Sequence, residues 1–197
     1  MKHPYSPKLA LAFKAFDHAN RQDPNLVLFS GVTWPAELLY GRRMTSCLNR
    51  FFPGQSEALQ LASRSQHLCR WQIPRSDYPM DRKGYYAWRN RLKVFHGEKA
   101  GEIIKAVGYE EEMASRVKAL LSKKFLKNDP ESQTLEDVIC LVFLQFYFEP
   151  FAAKHEEDKL ISIVQKTWRK MSPQGQTYAQ RLPYPPHLAA VLSKALA

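Results

Sequence analysis

The chain has 197 residues, of which 45% are apolar and 24% charged, and it carries a net charge of +10. This is long enough for one domain with a sizeable core, and the balance excludes a disordered or low-complexity chain. The longest apolar run, Val138 to Leu144, has seven residues and ends at Gln145. It is too short to cross a bilayer and suits a buried helix.

In chain order the sequence predicts an all-α protein. The segment MKHPYSPKLA lacks the apolar stretch of a secretory signal, so a cytoplasmic location is expected. Ser6 and Pro7 read as an N-cap and first helical residue, with Leu9, Phe13 and Phe16 at helical spacing up to about Asn20. QDPNLVLFSGVTW reads as an irregular connection. Thr33 to Phe51 has a 3.6-residue period through Tyr40, Met44, Cys47, Leu48 and Phe51. PGQSE ends that helix, and Ser56 caps the next, expected to run to about Trp71. After the loop QIPRSDYPM, Asp81 caps a long helix from about Arg82 to Val107, closed by Gly108. The helix in YEEEMASRVKALLSKKFLKN begins with acids and ends with lysines, as the helix dipole favours; Lys123, Lys124 and Lys127 suit that end. DPESQ is a turn. Thr134 to Phe151 is apolar nearly all round, which predicts an enclosed central helix. Glu156 to Met171 is amphipathic. SPQGQTYAQRLPYPPH reads as a surface arm before a short last helix. No strand-like alternation and no repeat is visible. The expected architecture is a single-domain helical bundle over residues 1–197, with a core from about 6 to 171 and a proline-containing C-terminal arm over 172–197.

Cys47, Cys69 and Cys140 are far apart and lie on apolar stretches, so buried free thiols are expected rather than a disulfide framework. The charge is uneven. From Tyr40 to Lys93 there are eleven Lys/Arg, nine of them arginine, against Glu57, Asp77 and Asp81, so this segment holds +8 of the +10. Arginine makes forked contacts with phosphate, and an anionic partner, a nucleotide or RNA, is the first expectation. Arg64, Arg70, Arg75, Arg82 and Arg89 bracket a loop holding Tyr78, with Tyr85 nearby and Lys123 further along. Interleaved basic and aromatic side chains can grip phosphates while stacking a base.

SRSQHLCRWQIPR raises a second possibility. If the helix continues, Gln60, Arg64, His67 and Trp71 share one stripe. His96 lies on a similar stripe with Tyr85 and Arg89, and Asp137 sits at the start of the seven-residue apolar run. His67, His96 and Asp137 on facing helices would suit a divalent metal ion with open positions for water and phosphate. The plainer alternatives are a hydrogen-bonded histidine and a capping-box pairing of Asp137 with Thr134. A glycine-rich phosphate loop, a GxSxG elbow, an HExxH motif and Cys/His zinc spacing are all absent from the sequence. Asp17-His18 has no visible partner.

FDHANRQDPN, the long stretch from WPAELLYGRRMTSCLNRFF to FHGEKAG, SKKFLKNDPESQTLEDVICLVFLQFYFEPF and KTWRKMS resemble the family called domain of unknown function 4202, over roughly Phe13 to Ser172. More distantly, the layout is similar to the HD phosphohydrolase superfamily of all-helical metal enzymes that cleave phosphate esters. That resemblance implies His67, His96 and Asp137 as metal ligands. The His-Asp doublet that names the superfamily is missing; YPMDRKGYYAWR stands in its place. Three functions follow as expectations: an HD-like phosphohydrolase with a divalent ion, a metal-free module binding a nucleotide or nucleic acid, and a helical interaction protein without catalysis.

Overall fold

Ser and Asp caps mark half of the described α-helix starts. In the computed structural model, which describes residues 5–123 and 128–196, Ser6 Oγ accepts from Leu9 N at 3.2 Å and opens α1 (Pro7–Asn20). Ser56 does the same for Leu59 N at 3.2 Å at the head of α3 (Glu57–Arg64), which follows α2 (Ala36–Phe51). Asp81 accepts from Gly84 N at 2.6 Å and opens α4 (Arg82–Ala106); Gly108, at φ +97°, turns the chain into α5 (Glu111–Ser122). Each cap satisfies a backbone N–H that the first turn leaves without a partner. Asp129 opens α6 (Pro130–Val142), followed by a π-helical turn over Phe143–Tyr147 and by α7 (Phe148–Ala152). The last elements are α8 (Glu157–Trp168), α9 (Pro173–Gln180) and α10 (Pro186–Leu196).

The protein is all-α apart from one small sheet, as the periodicity implies. α4 lies along α5; α2 packs on α3 and α6; α3 packs on α5, and α10 on α8. Phe16, Met44, Leu61, Ile104, Leu120 and Phe148, from six different helices, meet in one fully buried cluster. The three cysteines are free and buried. Among the described residues no helix is long and apolar enough to cross a membrane.

Six features differ from the sequence reading, the first being that DPESQ, read as a turn, holds the Asp129 cap and the first turn of α6, which begins at Pro130 rather than Thr134. The irregular connection is an antiparallel hairpin, β1 (Leu26–Phe29) and β2 (Val32–Pro35), with Phe29 paired to Val32. Its two-residue turn, Ser30-Gly31, has φ of 50° and 76°, the double positive φ of a type I′ turn. α2 therefore begins at Ala36 rather than Thr33. α3 ends at Arg64, and the chain continues in tight turns through Cys69 at φ 53°. The helical stripe Gln60–Arg64–His67–Trp71 does not form, because its second half is not helix. The central helix is interrupted by the π-turn, which turns Phe143, Phe146 and Tyr147 toward a cavity. The expected surface segment forms α9, α10 is the short last helix expected, and Ala179, Leu188, Val191 and Ala195 of the two join the core. Lys124 and Lys127 lie outside the described residues.

Candidate functional site

A cavity of about 640 Å³ opens between the hairpin, α2, the turn after α3, α4, the end of α5, the α6–α7 segment and α8. This is the size of small-molecule sites. The first turn of α2 contributes Glu37 and Tyr40, and Arg43 follows; the turn after α3 contributes Gln66, His67 and Arg70. Tyr85 and Arg89, one turn apart, come from α4, Lys123 from the end of α5, and Glu136, Cys140, Phe143, Phe146 and Tyr147 from the interrupted helix. Thr167 and Lys170 close one side, Val27 and Leu28 of the hairpin another.

His67 is held on three sides. Its Nδ1 is 3.1 Å from Glu37 Oε2. The Tyr40 ring stacks on one face at 3.9 Å, 10° from parallel. Arg70 Nη1 lies 3.4 and 3.5 Å from the two ring nitrogens. Near-equal distance to both puts it over the ring, off the in-plane lone-pair directions. Arg70 itself lies 4.9 Å from the Trp88 ring centroid, and Trp88 Nε1 donates to the Ile73 carbonyl at 2.8 Å, fixing the loop.

Burial decides the protonation of this group. It pushes the Glu37 carboxyl up to about 7, against the opposing pull of Arg70. Burial, then Arg70, Arg89 and Lys123, holds the His67 imidazole well below its ordinary range. His96 is brought down to about 3, chiefly by burial. Both histidines are therefore neutral at pH 7, and Glu37 is divided between acid and carboxylate. In the acid form Glu37 donates to His67 Nδ1; as carboxylate it accepts a proton held on Nδ1.

The remaining charge is unbalanced. Lys123 is paired with Glu136. Arg43, Arg70, Arg89 and Lys170 form no ion pair among the described residues, although all four line the cavity. Arg43 is packed among the rings of Phe29, Phe146 and Tyr147 at 4.5, 4.5 and 5.2 Å, and its Nε is buried without a hydrogen-bond partner. Lys93, nearby, is lowered by burial and by Lys123 and Arg89, a further mark of positive potential.

Of the residues named from the sequence, Arg70, Tyr85, Arg89, Lys123 and His67 line this cavity. Four proposed anion contacts do not. Arg64 is bound to Asp17 at 2.7 and 2.9 Å and to Thr45 Oγ1 at 3.2 Å, because the end of α3 faces α1. Asp17 also holds Arg42, so it has two partners where the sequence suggested none. Arg75 donates to the carbonyls of Tyr78 and Pro79 at 2.9 and 2.7 Å and shapes its own loop; Tyr78 is half-buried there. Arg82 is exposed, 5.7 Å from the Tyr86 ring.

The metal set does not assemble. The rings of His67 and His96 are 6.0 Å apart, but buried His96 is bonded through Nδ1 to the Leu68 carbonyl at 2.9 Å. Asp137 does not line the cavity. Its Oδ1 accepts from Ser172 N at 2.8 Å and Gln133 Nε2 at 3.0 Å, and its Oδ2 accepts from the Ser172 hydroxyl at 2.5 Å. A side chain on Gly175 would come within 2.7 Å of its Cγ, so α9 is built around this carboxylate. Asp137 is thus a fastener for the start of α9, with its ligand oxygens already committed. Among the described residues no group of three or more His, Cys, Asp or Glu side chains is placed to hold a metal ion.

Glu37, Tyr40, Arg43, Gln66, Glu136, Tyr147 and Lys170 were not foreseen. Glu136, Cys140, Phe143 and Tyr147 are spaced i, i+4, i+7 and i+11, a stripe visible in the sequence. Glu37 and Tyr40 carry no such signal.

No curated protein and no solved structure matches the chain. The profile of the family described as domain of unknown function (DUF4202) matches residues 10–192. The match spans the cavity and nearly all of the chain, which therefore belongs to the DUF4202 family.

Proposed function

We propose that the cavity binds a small phosphorylated ligand of nucleotide size, held directly by side-chain cations. The observation that carries this reading is the set of four cations that line the cavity with no ion-pair partner among the described residues, Arg43, Arg70, Arg89 and Lys170, of which Arg70 and Arg89 act on neutral His67. Cations gathered without counter-charges repel one another, and an anion relieves that repulsion. The apolar part of the lining, with Ile139, Phe143, Phe146 and Pro150, suits a flat apolar moiety. A volume of about 640 Å³, within the range of small-molecule sites, suits a mononucleotide.

The test is calorimetric titration of the chain with ADP, ATP and adenosine in EDTA. Both phosphorylated ligands are expected to bind at least about tenfold more tightly than adenosine, and Arg89→Ala is expected to weaken ADP by about tenfold, the value of one charge-assisted hydrogen bond. Equal affinity for adenosine and ADP, or no binding of any of them, sinks the reading.

A further inference from the structure

We propose that His67 Nε2 is a phosphoryl acceptor, taking the terminal phosphoryl group from a phosphoanhydride such as a nucleoside di- or triphosphate. This rests on the phosphorylated-ligand reading above and adds a reaction to it. The geometry around the ring supports the step. Glu37 occupies Nδ1, Tyr40 covers one face and Arg70 the other, so the ring cannot turn. Nε2 has Arg70 Nη1, at 3.5 Å, as its contact among the described residues, a cation that the oxygens of a phosphoryl group would attract, in a side chain that lines the cavity. Arg70, Arg89 and Lys123 are close enough to act on the His67 charge, and the same cations would face the oxygens of a phosphoryl group at Nε2.

The bonding is simple. With Nδ1–H donating to the Glu37 carboxylate, the Nε2 lone pair attacks phosphorus and an N–P bond forms. The bridging P–O bond breaks, and its electron pair leaves on the shortened nucleotide. The positive charge on the phosphorylated ring faces Glu37. Water then attacks phosphorus, the N–P bond breaks, inorganic phosphate carries the water's proton away, and neutral His67 returns. Among the described lining residues the carboxyls are Glu37, on the far nitrogen, and Glu136, bound to Lys123. Neither is free to protonate an alkoxide. The leaving group must be stable as an anion, which selects a phosphoanhydride over a simple ester. Glu37 is a positioning residue.

The experiment treats the full chain, in EDTA, with ATP labelled in the γ-phosphate, while nucleotide binding is measured in parallel by calorimetry. Base-stable, acid-labile label is expected on the peptide containing His67 and is expected to vanish in His67→Gln. In Glu37→Gln nucleotide affinity should hold within a few fold while the labelling rate falls by roughly a hundredfold or more, a split that mere loss of structure would not give. Circular dichroism melts identify any variant that fails to fold, and the wild-type label decides the matter without variants. Nucleotide binding with no histidine label overturns this inference and leaves the ligand reading standing. Label that persists in His67→Gln also overturns it. Absence of both binding and label overturns both.

Discussion

Arg42 and Arg43 are consecutive residues with opposite situations. Arg42 turns to α1 and shares Asp17 with Arg64; Arg43 turns to the cavity and has aromatic rings in place of a carboxylate. Glu136 and Asp137 repeat the contrast. Asp137 is bound on both oxygens and anchors α9, while Glu136 faces the cavity with Lys123 as its partner. One residue along a helix is a rotation of about 100°, enough to separate a structural charge from one available to a ligand. The lesson is that partners, more than residue type, divide this protein's charges into two classes. One class should fail in stability when removed and the other in binding.

The sharpest way to break that division is at Asp17. Asp17→Ala strips the partner from Arg64, whose side chain is 11% exposed, and from Arg42. It should cost about 3 kcal/mol in denaturant unfolding, the penalty for leaving a largely buried charge alone. Arg89→Ala should change stability by less than about 0.5 kcal/mol. Equal losses in the two variants would erase the distinction. Asp137→Ala should follow, at about 2 kcal/mol, since it leaves the Ser172 amide and hydroxyl and the Gln133 amide short of an acceptor. Its nucleotide affinity should stay at the wild-type value; a loss of affinity larger than the loss of stability would return Asp137 to the site.

Acid should act on the cavity side. Below pH 6.5 the unfolded chain protonates its histidines, whereas folded His67 and His96 resist, having been pushed below their ordinary values. Their contribution to stability is complete above pH 6.5 and is lost as pH falls. Glu37 has the opposite sign. Raised from 4.5 to about 7, it keeps a proton in the fold that the unfolded chain loses, so between those values it favours the fold more at lower pH. Two histidines against one carboxyl leave a net loss of about 1–2 kcal/mol between pH 6.5 and 5. Denaturant titrations at the two pH values measure it, and His96→Gln should remove part of the slope. A flat profile would mean that water reaches these rings.

The extent to which this was legible in the sequence follows the range of the interactions. Caps act over three residues, and Ser6, Ser56, Asp81 and Gly108 announce the helix ends they form. The segment bearing +8 contains three of the four unpaired cavity cations. Which arginine is paired was not legible, because Asp17 lies 47 residues from Arg64. His67 was singled out for a reason the structure removes: its helix stops at Arg64, and a left-handed Cys69, rather than helical periodicity, helps direct the turn. Asp137 was one residue away from the acid that faces the cavity. The hairpin was legible and missed, since Ser-Gly between two apolar runs is a hairpin turn signal.

The hairpin supplies the smallest predicted effect. Leu26, Leu28 and Val32 are exposed, while Val27 and Leu28 form part of the cavity wall, so β1 and β2 contribute to the site and little to the core. Gly31 sits at φ +76° with open space where a side chain would go. Gly31→Ala thus meets backbone strain alone, about 1 kcal/mol. The strain belongs to the hairpin and not to the helical core, whose residues it does not touch. Global unfolding should shift by less than that amount, while hydrogen exchange at residues 26–35 should quicken several-fold, as expected for a locally opening unit. Nucleotide affinity should drop by no more than about fivefold, the factor that 1 kcal/mol allows. A global loss equal to the local one would mean that the hairpin folds as one unit with the core, joining the structural class of Asp17 and Asp137 rather than the binding class of Arg43 and Arg89.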